Sequence, residues 1–289
     1  MQKNIKWLAL WILISAFGMK GDKPAYTIFN GKGKRVEYQK MLDAALKADV
    51  VLFGELHNNP ICHWLELELT KDIYKTKLND LVLGAEMFES DNQKALDSFL
   101  EGHYDAKQLK QAARLWPNYN TDYEPLVAFA KEKKLNFVAS NIPRRYARLV
   151  NSRGFEGLDT LSYREKLWIA PLPIMYDSSL PGYAEILKAM GGSGHGSKNI
   201  AKAQASKDAT MAYFIVKNLA EGKAFIHYNG TYHSNNYEGI VWYLKKYKPG
   251  IKIVTIASAE QGDIRVIDND NKGLADFTII VTESMTKTY

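Results

Sequence analysis

Cysteine and long apolar runs are scarce in this chain, and each scarcity excludes a kind of protein. Cys62 is the only cysteine among 289 residues, so an internal disulfide cannot form. Ile61 and Trp64 beside it predict a buried helix position, where a thiol packs as a small hydrophobe. The apolar run at residues 7–14 is shorter than the roughly 20 residues that a membrane-spanning helix needs.

Two signatures of nucleophilic and nucleotide chemistry are also missing. No Gly-x-Ser-x-Gly elbow is present, which argues against a serine nucleophile. The glycine-rich segment 191–196 has no Gly-Lys-Ser/Thr at P-loop spacing, and no strand pattern precedes it. The sequence therefore does not indicate a serine hydrolase or a P-loop protein.

The N-terminus has the pattern of a secretory signal peptide. Lys3 and Lys6 precede the apolar run 7–14, and Ala16 and Gly18 supply small residues at positions −3 and −1. We predict a signal peptide over residues 1–18, with an uncleaved anchor as the alternative. No cysteine lies near the cleavage point, so a lipoprotein anchor is not available. The expected location is exported, either periplasmic or associated with an outer membrane.

The charge balance is mildly basic. The formal net charge is +6, and removal of Lys3 and Lys6 with the signal peptide leaves +4. That excess favours an anionic ligand or surface, but it is too small and too dispersed to indicate nucleic-acid binding. We therefore expect no nucleic-acid partner.

Short apolar runs alternate with helical patterns along the chain. Helical patterns cover residues 38–48 and 60–75, and Pro60 suits a first helical turn. This alternation predicts an α/β fold with a mostly parallel central sheet flanked by helices. The last two predicted strands are separated only by a turn and are expected to pair antiparallel at an edge. The predicted strands are 50–53, 81–85, 135–139, 224–228, 251–257, 264–267 and 277–282.

Two long stretches between strands are helical in pattern. Residues 91–130 and 144–221 contain no convincing strand. We expect them to be helical insertions, the second forming a cap over the sheet. Residues 19–289 are thus predicted to form a single α/β domain with a helical insertion or cap subdomain.

Two similar tetrads follow predicted strands. Gly-Glu-Leu-His occupies 54–57 and Gly-Thr-Tyr-His occupies 230–233. We interpret each as a glycine turn at the carboxyl end of a buried strand, with a histidine just beyond it. Ligands of open α/β sheets bind outside the carboxyl ends of the strands. The tetrads are therefore expected to meet at one site.

Four polar residues at predicted strand ends form a candidate metal site. Glu55, His57, Glu86 and His233 combine carboxylate and imidazole groups, which suit iron or another first-row divalent metal. The alternative is structural: the glutamates cap helix N-termini, and the histidines only form hydrogen bonds.

A second set of residues suits haem. His195 lies in the glycine-rich loop, where the backbone allows close approach to a ligand. Tyr176 and Tyr183 flank a Pro/Gly loop, and tyrosine is a known ligand of ferric haem. Arg144 begins a predicted helix, and its guanidinium suits a haem propionate. A mobile loop and a solvated helix face are the alternatives.

Several short motifs together resemble one family. The chain is similar to the ChaN-like haem-binding proteins of the Tiki superfamily, over about residues 45–260. The motifs include the two tetrads, Trp116, and the segments 84–88, 123–127, 139–143 and 203–212. The chain differs from the family in lacking a lipoprotein cysteine and in its 191–196 loop.

The resemblance implies an α/β core with a helical subdomain, and haem handling at the cell surface or in the periplasm. It also implies a role in iron uptake, an outer-membrane haem or iron transport system as partner, and a homodimer that shares its haem sites. Two main functions stay open at this point: an exported haem-binding protein, and a metal-dependent hydrolase or protease. A degenerate scaffold without activity is a third possibility, so enzymatic activity is left undecided.

Overall fold

The fold is a three-layer α/β/α arrangement around one mixed sheet. The computed structural model describes residues 23–191 and 198–289. The predicted signal peptide, residues 1–18, and His195 lie outside the described residues. None of the described helices is both long enough and apolar enough to cross a membrane.

The sheet is mostly parallel, as predicted. Its eight strands follow the order β2-β1-β8-β7-β3-β6-β4-β5. The run from β8 to β5 is parallel throughout, whereas β1 lies antiparallel to both of its neighbours. The strands are β1 Tyr26–Asn30, β2 Arg35–Val36, β3 Val50–Glu55, β4 Leu81–Glu89, β5 Phe137–Asn141, β6 Ala224–Gly230, β7 Ile253–Gln261 and β8 Phe277–Thr282.

Helices follow most strands, and local chemistry sets where they begin. Asn59 caps the helix after β3 by accepting hydrogen bonds from the amides of Ile61 and Cys62, and Pro60 occupies its first turn. The helices are α1 Tyr38–Ala45, α2 Pro60–Lys77, α3 Gln93–Leu100, α4 Ala106–Ala112, α5 Glu124–Lys133, α6 Arg144–Arg153, α7 Tyr163–Lys166, α8 Pro181–Gly191, α9 Ile200–Asn218 and α10 Ile240–Tyr247.

Alternation along β3 separates two cores. Val51 and Phe53 pack with residues of α1 to α5 on one face. Val50 and Leu52 pack with α6, α9 and α10 on the other face. We call these the α2 face and the α9 face. The segment 144–221 therefore supplies α6 and α9 of the layer on the α9 face, α10 completes that layer, and α9 packs directly against the strands.

The prediction of a strand at 264–267 was wrong. Ile264 and Ile267 are buried because their side chains pack against Phe29 and Ile280. Their backbone forms no strand ladder. The Gln261 side chain instead organises this stretch, with its amide donating to the backbone carbonyls of Asp263 and Val266.

Strand β8 does not form the predicted antiparallel pair with 264–267. It pairs parallel with β7 and antiparallel with β1, which sequence reasoning did not identify. The prediction that Cys62 is buried in a helix is confirmed.

Candidate functional site

The two tetrads lie side by side. Strands β3 and β6 pair in parallel, with Glu55 opposite Gly230. The interpretation of their glycines as turns was wrong: Gly54 and Gly230 are strand residues, and Gly230 has a φ of −53°. A Cβ on Gly230 would lie 2.7 Å from His57 Nε2, and one on Gly54 would lie 2.8 Å from the Cα of Thr231. Each glycine therefore makes room for the other tetrad.

The predicted metal residues divide between the two faces of the sheet. Glu55 has the parity of Val51 and Phe53 in β3, so its carboxylate lies on the α2 face. Glu86 has the parity of Val82 in β4, so its carboxylate lies on the α9 face. The four residues consequently form two connected groups.

The first group, the cleft cluster, consists of Glu86, His233, Asp208 and Tyr183. Glu86 Oε2 accepts a hydrogen bond from the amide of Gly230 at 2.8 Å, and its Oε1 lies 3.1 Å from His233 Nε2. His233 Nδ1 lies 2.5 Å from Asp208 Oδ1. The Tyr183 hydroxyl donates to Asp208 Oδ2 at 2.7 Å. Asp208 thereby orients the imidazole so that Nε2 faces Glu86.

Charge pairing dominates the titration of this cluster. Burial disfavours the imidazolium, but the Glu86 and Asp208 carboxylates overcome it and raise the pKa of His233 to about 9. Burial alone would raise the pKa of Glu86, yet His233, His57 and Lys207 hold it well below its usual range. Glu86 is therefore ionised and His233 is protonated at neutral pH.

The second group, the buried cluster, consists of Glu55, His63, Glu66 and Tyr123. Glu55 Oε1 accepts from the Tyr123 hydroxyl at 2.7 Å and lies 2.6 Å from His57 Nδ1. His63 Nδ1 is 3.3 Å from both Glu55 Oε2 and Glu66 Oε2. All four side chains are buried.

His57 connects the two groups. Its Nδ1 is held by Glu55, while its Nε2 lies on the Gly230 side, toward Glu86. Its ring is about a third exposed (35%) and meets the Trp116 ring edge-on, with centroids 4.9 Å apart. Burial opposes protonation, but the Glu55 hydrogen bond and the Glu86 charge raise the pKa of His57.

A cleft of about 880 Å³ opens beside His57, Glu86 and His233 at the carboxyl ends of the strands. Its rim is cationic. Arg144 and Arg148 lie one turn apart on α6, and Lys207 lies on α9. The other cationic residues of the rim, Arg114 and Arg145, are paired with acidic residues, both of them with Asp91 and Arg114 also with Glu89.

The predicted haem residues are found in different places. Arg144 lines the cleft. Tyr176 and Tyr183 are not among its lining residues; Tyr176 packs on the rings of Phe155 and Tyr183. The Tyr183 hydroxyl is buried and donates a hydrogen bond to Asp208. Burial strongly raises its pKa, so the hydroxyl keeps its proton and this hydrogen bond.

Sequence reasoning missed several residues of the site. His63 lies in the buried cluster with Glu66, one helical turn further along α2. That i, i+3 spacing was the available signal. Asp208 had no strand-end signal, because α9 brings it to the site. His227, by contrast, is a buried core residue that contacts Ser140 and Asn229.

Fold and site together define a class. The protein is an α/β protein with a cationic ligand cleft at the carboxyl ends of parallel strands, next to a histidine–carboxylate cluster. The chain belongs to the ChaN family of the Tiki superfamily, described as haem-binding uptake proteins, and the family model matches residues 41–244. The resemblance seen in the sequence is thereby confirmed.

Known proteins share this fold. ChaN of Campylobacter jejuni, whose solved structure is described as binding haem cofacially, has a TM-score of 0.67 and 19% identity, covering 89% of this chain and 96% of that chain. A Bacillus cereus protein has a TM-score of 0.51 and 12% identity, covering 84% of this chain and 90% of its own.

A curated relative is much longer than this chain. The chloroplastic protein RETICULATA-RELATED 5 of Arabidopsis thaliana is 26% identical over 205 residues, or 66% of this chain. The match spans about a quarter of that relative, 27% of its length.

Proposed function

We propose that this chain is an exported haem-binding protein that takes part in haem or iron acquisition. The observation that carries the proposal is the cleft, in which two arginines without an ion pair among the described residues, Arg144 and Arg148, share the lining with His57 and His233. Its volume, about 880 Å³, suits a porphyrin-sized ligand. An outer-membrane haem transport system as partner and a homodimer are parts of the same proposal.

The rim supplies what a dianionic porphyrin needs. Arg144 and Arg148 make no ion pair with any described residue, so both guanidinium groups are available for propionates. Leu115, Trp116 and Ile142 add apolar surface to the cleft lining. When bound, haem supplies an iron atom for an axial protein ligand.

Three residues are candidates for the axial ligand. His195 and Tyr176 remain candidates from the sequence, while the Tyr183 hydroxyl, already bonded to Asp208, is disfavoured. His57 is a further candidate, because its partly exposed ring lines the cleft and its Nδ1 is already oriented by Glu55.

The propionate contact is tested by haem titration of Arg144→Gln/Arg148→Gln beside Arg153→Gln. Arg153 is an exposed arginine at the far end of the same helix and provides the matched control. We expect the double variant to bind hemin at least tenfold more weakly, and the control to bind as the wild type does. Equal binding by all three proteins would contradict this placement of the propionates.

A metal-dependent hydrolase is the second candidate, favoured by one observation. His57 and His233 each have Nδ1 oriented by a carboxylate, which leaves both Nε2 atoms on the side of Glu86. Residues of these types bind divalent metals, which lower the pKa of a bound water. In this structure the donor atoms of the three do not all lie within 4.8 Å of one another, so a shared ion would require their side chains to move closer together. Glu55 would then orient His57 rather than bind the metal.

The hydrolase proposal predicts turnover of chromogenic esters or peptides that EDTA abolishes and His233→Gln removes. Turnover that is absent from zinc-loaded wild-type protein would exclude it for these substrates and leave haem binding as the function.

A further inference from the structure

The buried cluster contains a second set of metal-ligand side chains, separate from the cleft. Glu55, His63 and Glu66 are 1%, 6% and 0% exposed, and their donor atoms lie within 4.8 Å of one another. They come from β3 and α2, on the opposite face of the sheet from Glu86 and His233. The cleft and its proposed haem make no use of His63 or Glu66.

The spacing of the donor atoms fits a metal better than a salt bridge. His63 Nδ1 lies 3.3 Å from Glu55 Oε2 and 3.3 Å from Glu66 Oε2. A charge-assisted hydrogen bond is shorter, about 2.7–2.9 Å. Two ligands of a tetrahedral zinc ion with bonds of about 2.0–2.1 Å are about 3.3 Å apart.

Two carboxylate oxygens of the cluster are buried and unsatisfied. Glu55 Oε2 and Glu66 Oε1 have no hydrogen-bond partner among the described residues. Glu55 Oε2 points at His63, while Glu55 Oε1 is already occupied by Tyr123 and His57. Buried carboxylates are costly unless cations compensate them, and a protonated His63 supplies one positive charge to two carboxylates.

The second ring nitrogen of His63, Nε2, faces hydrogen-bond acceptors. Nε2 faces the backbone carbonyl of His57 at 3.2 Å and Asp122 Oδ2 at 3.5 Å. A proton on Nε2 is therefore satisfied by these acceptors, so Nδ1 can exchange its own proton for a metal ion between the two glutamates. Metal-bound histidines are oriented in the same way by an acceptor behind the ring.

We propose that Glu55, His63 and Glu66 bind a structural divalent metal ion of the zinc type beneath the cleft. One imidazole and two carboxylates are a donor set that zinc accepts. The ion fastens α2 to the end of β3. Because Glu55 also holds His57, the ion sets the position of the histidine that faces the cleft.

The test is metal content by mass spectrometry, after EDTA treatment and dialysis against zinc sulfate and then metal-free buffer. Glu66→Gln and His63→Gln remove donors of the buried cluster. His103→Gln changes an exposed histidine and is the matched control. His233→Gln removes the cleft histidine, so it separates this ion from any metal bound there.

We expect Glu66→Gln and His63→Gln each to contain one zinc ion fewer per chain than the wild type, while His103→Gln matches it. We also expect His233→Gln to keep the ion that Glu66→Gln loses. Equal zinc content in the wild type and Glu66→Gln would overturn the proposal.

If Glu66→Gln and His63→Gln fail to fold, thermal melting of the wild type and of His233→Gln decides the matter, because His233→Gln lacks the cleft histidine and should keep the zinc effect. The proposal predicts that zinc raises the melting temperature of EDTA-treated protein by several degrees. A wild type that retains no zinc and melts at the same temperature with and without it would also overturn the proposal.

Discussion

Each histidine that faces the cleft is oriented by its own carboxylate. Glu55 lies 2.6 Å from Nδ1 of His57, and Asp208 lies 2.5 Å from Nδ1 of His233. Both rings thereby turn Nε2 toward Glu86. At the scale of single residues, the site is a symmetrical pair of carboxylate–histidine units around one ionised glutamate.

The close approach of the tetrads is tested by Gly54→Ala. The added Cβ would lie 2.8 Å from the Cα of Thr231 and 2.9 Å from the carbonyl oxygen of Ile256, and both are backbone atoms. We expect the free energy of unfolding in urea to fall by about 1–3 kcal/mol. Gly262→Ala is the control, because its Cβ would meet only the flexible end of Glu283. Equal stability of the two variants would contradict the account.

Stability should depend on pH through His233. Its pKa is raised to about 9 in the folded protein, from about 6.5 unfolded. A raised pKa gives stability that is complete below pH 6.5 and is lost as the pH rises through 9. His57 and His63 also have raised pKa values, so the His233 contribution is taken as the wild type minus His233→Gln. We expect that difference in the free energy of unfolding to fall by about 3 kcal/mol over the range.

Urea unfolding at pH 6.5, 7.5 and 9 measures this dependence, with His103→Gln as the control. The same pH slope in the wild type and His233→Gln would show that the cleft cluster does not pair His233 as described.

At the scale of elements, apolar runs predicted most of the sheet but not its far edge. Buried parallel strands such as β3 consist of nearly continuous apolar residues, so they can be recognised in the sequence. Strand β1 has polar ends and follows a polar segment, so its apolar centre, Ile28 and Phe29, was overlooked. Ile264 and Ile267 give this segment a strand-like apolar pattern, but the segment forms a turn whose isoleucine side chains are buried.

Hydrogen exchange distinguishes the observed edge of the sheet from the predicted one. We expect peptides covering β1 to exchange slowly, because its amides and carbonyls pair with β8. Residues 263–268 should exchange within seconds to minutes, because no strand ladder protects them. Slow exchange at 263–268 combined with fast exchange in β1 would contradict the observed topology.

Residues of the site were predictable where strand ends bring them together. Glu55, His57, Glu86 and His233 follow apolar runs, so the sequence placed them at one end of the sheet. Their division between faces needed the exact last residue of each strand, because a shift of one residue reverses the side. Asp208 and His63 reach the site from helices, and only tertiary packing shows that.

At the scale of the whole molecule, positive charge is concentrated at the cleft and is not a strong feature of the chain as a whole. The net charge of +6 is modest, yet Arg144, Arg148 and Lys207 concentrate positive charge at one cleft. Membership of the haem-binding uptake family agrees with this distribution. We propose that haem binds in this cleft.

Hemin titration of the purified protein, followed by the Soret band, tests this claim most directly. Single variants His57→Ala, Tyr176→Ala and His195→Ala are titrated alongside. The account predicts a saturable, shifted Soret band in the wild type, and its loss or shift in the variant that lacks the axial ligand. A wild type without a saturable band would contradict the account.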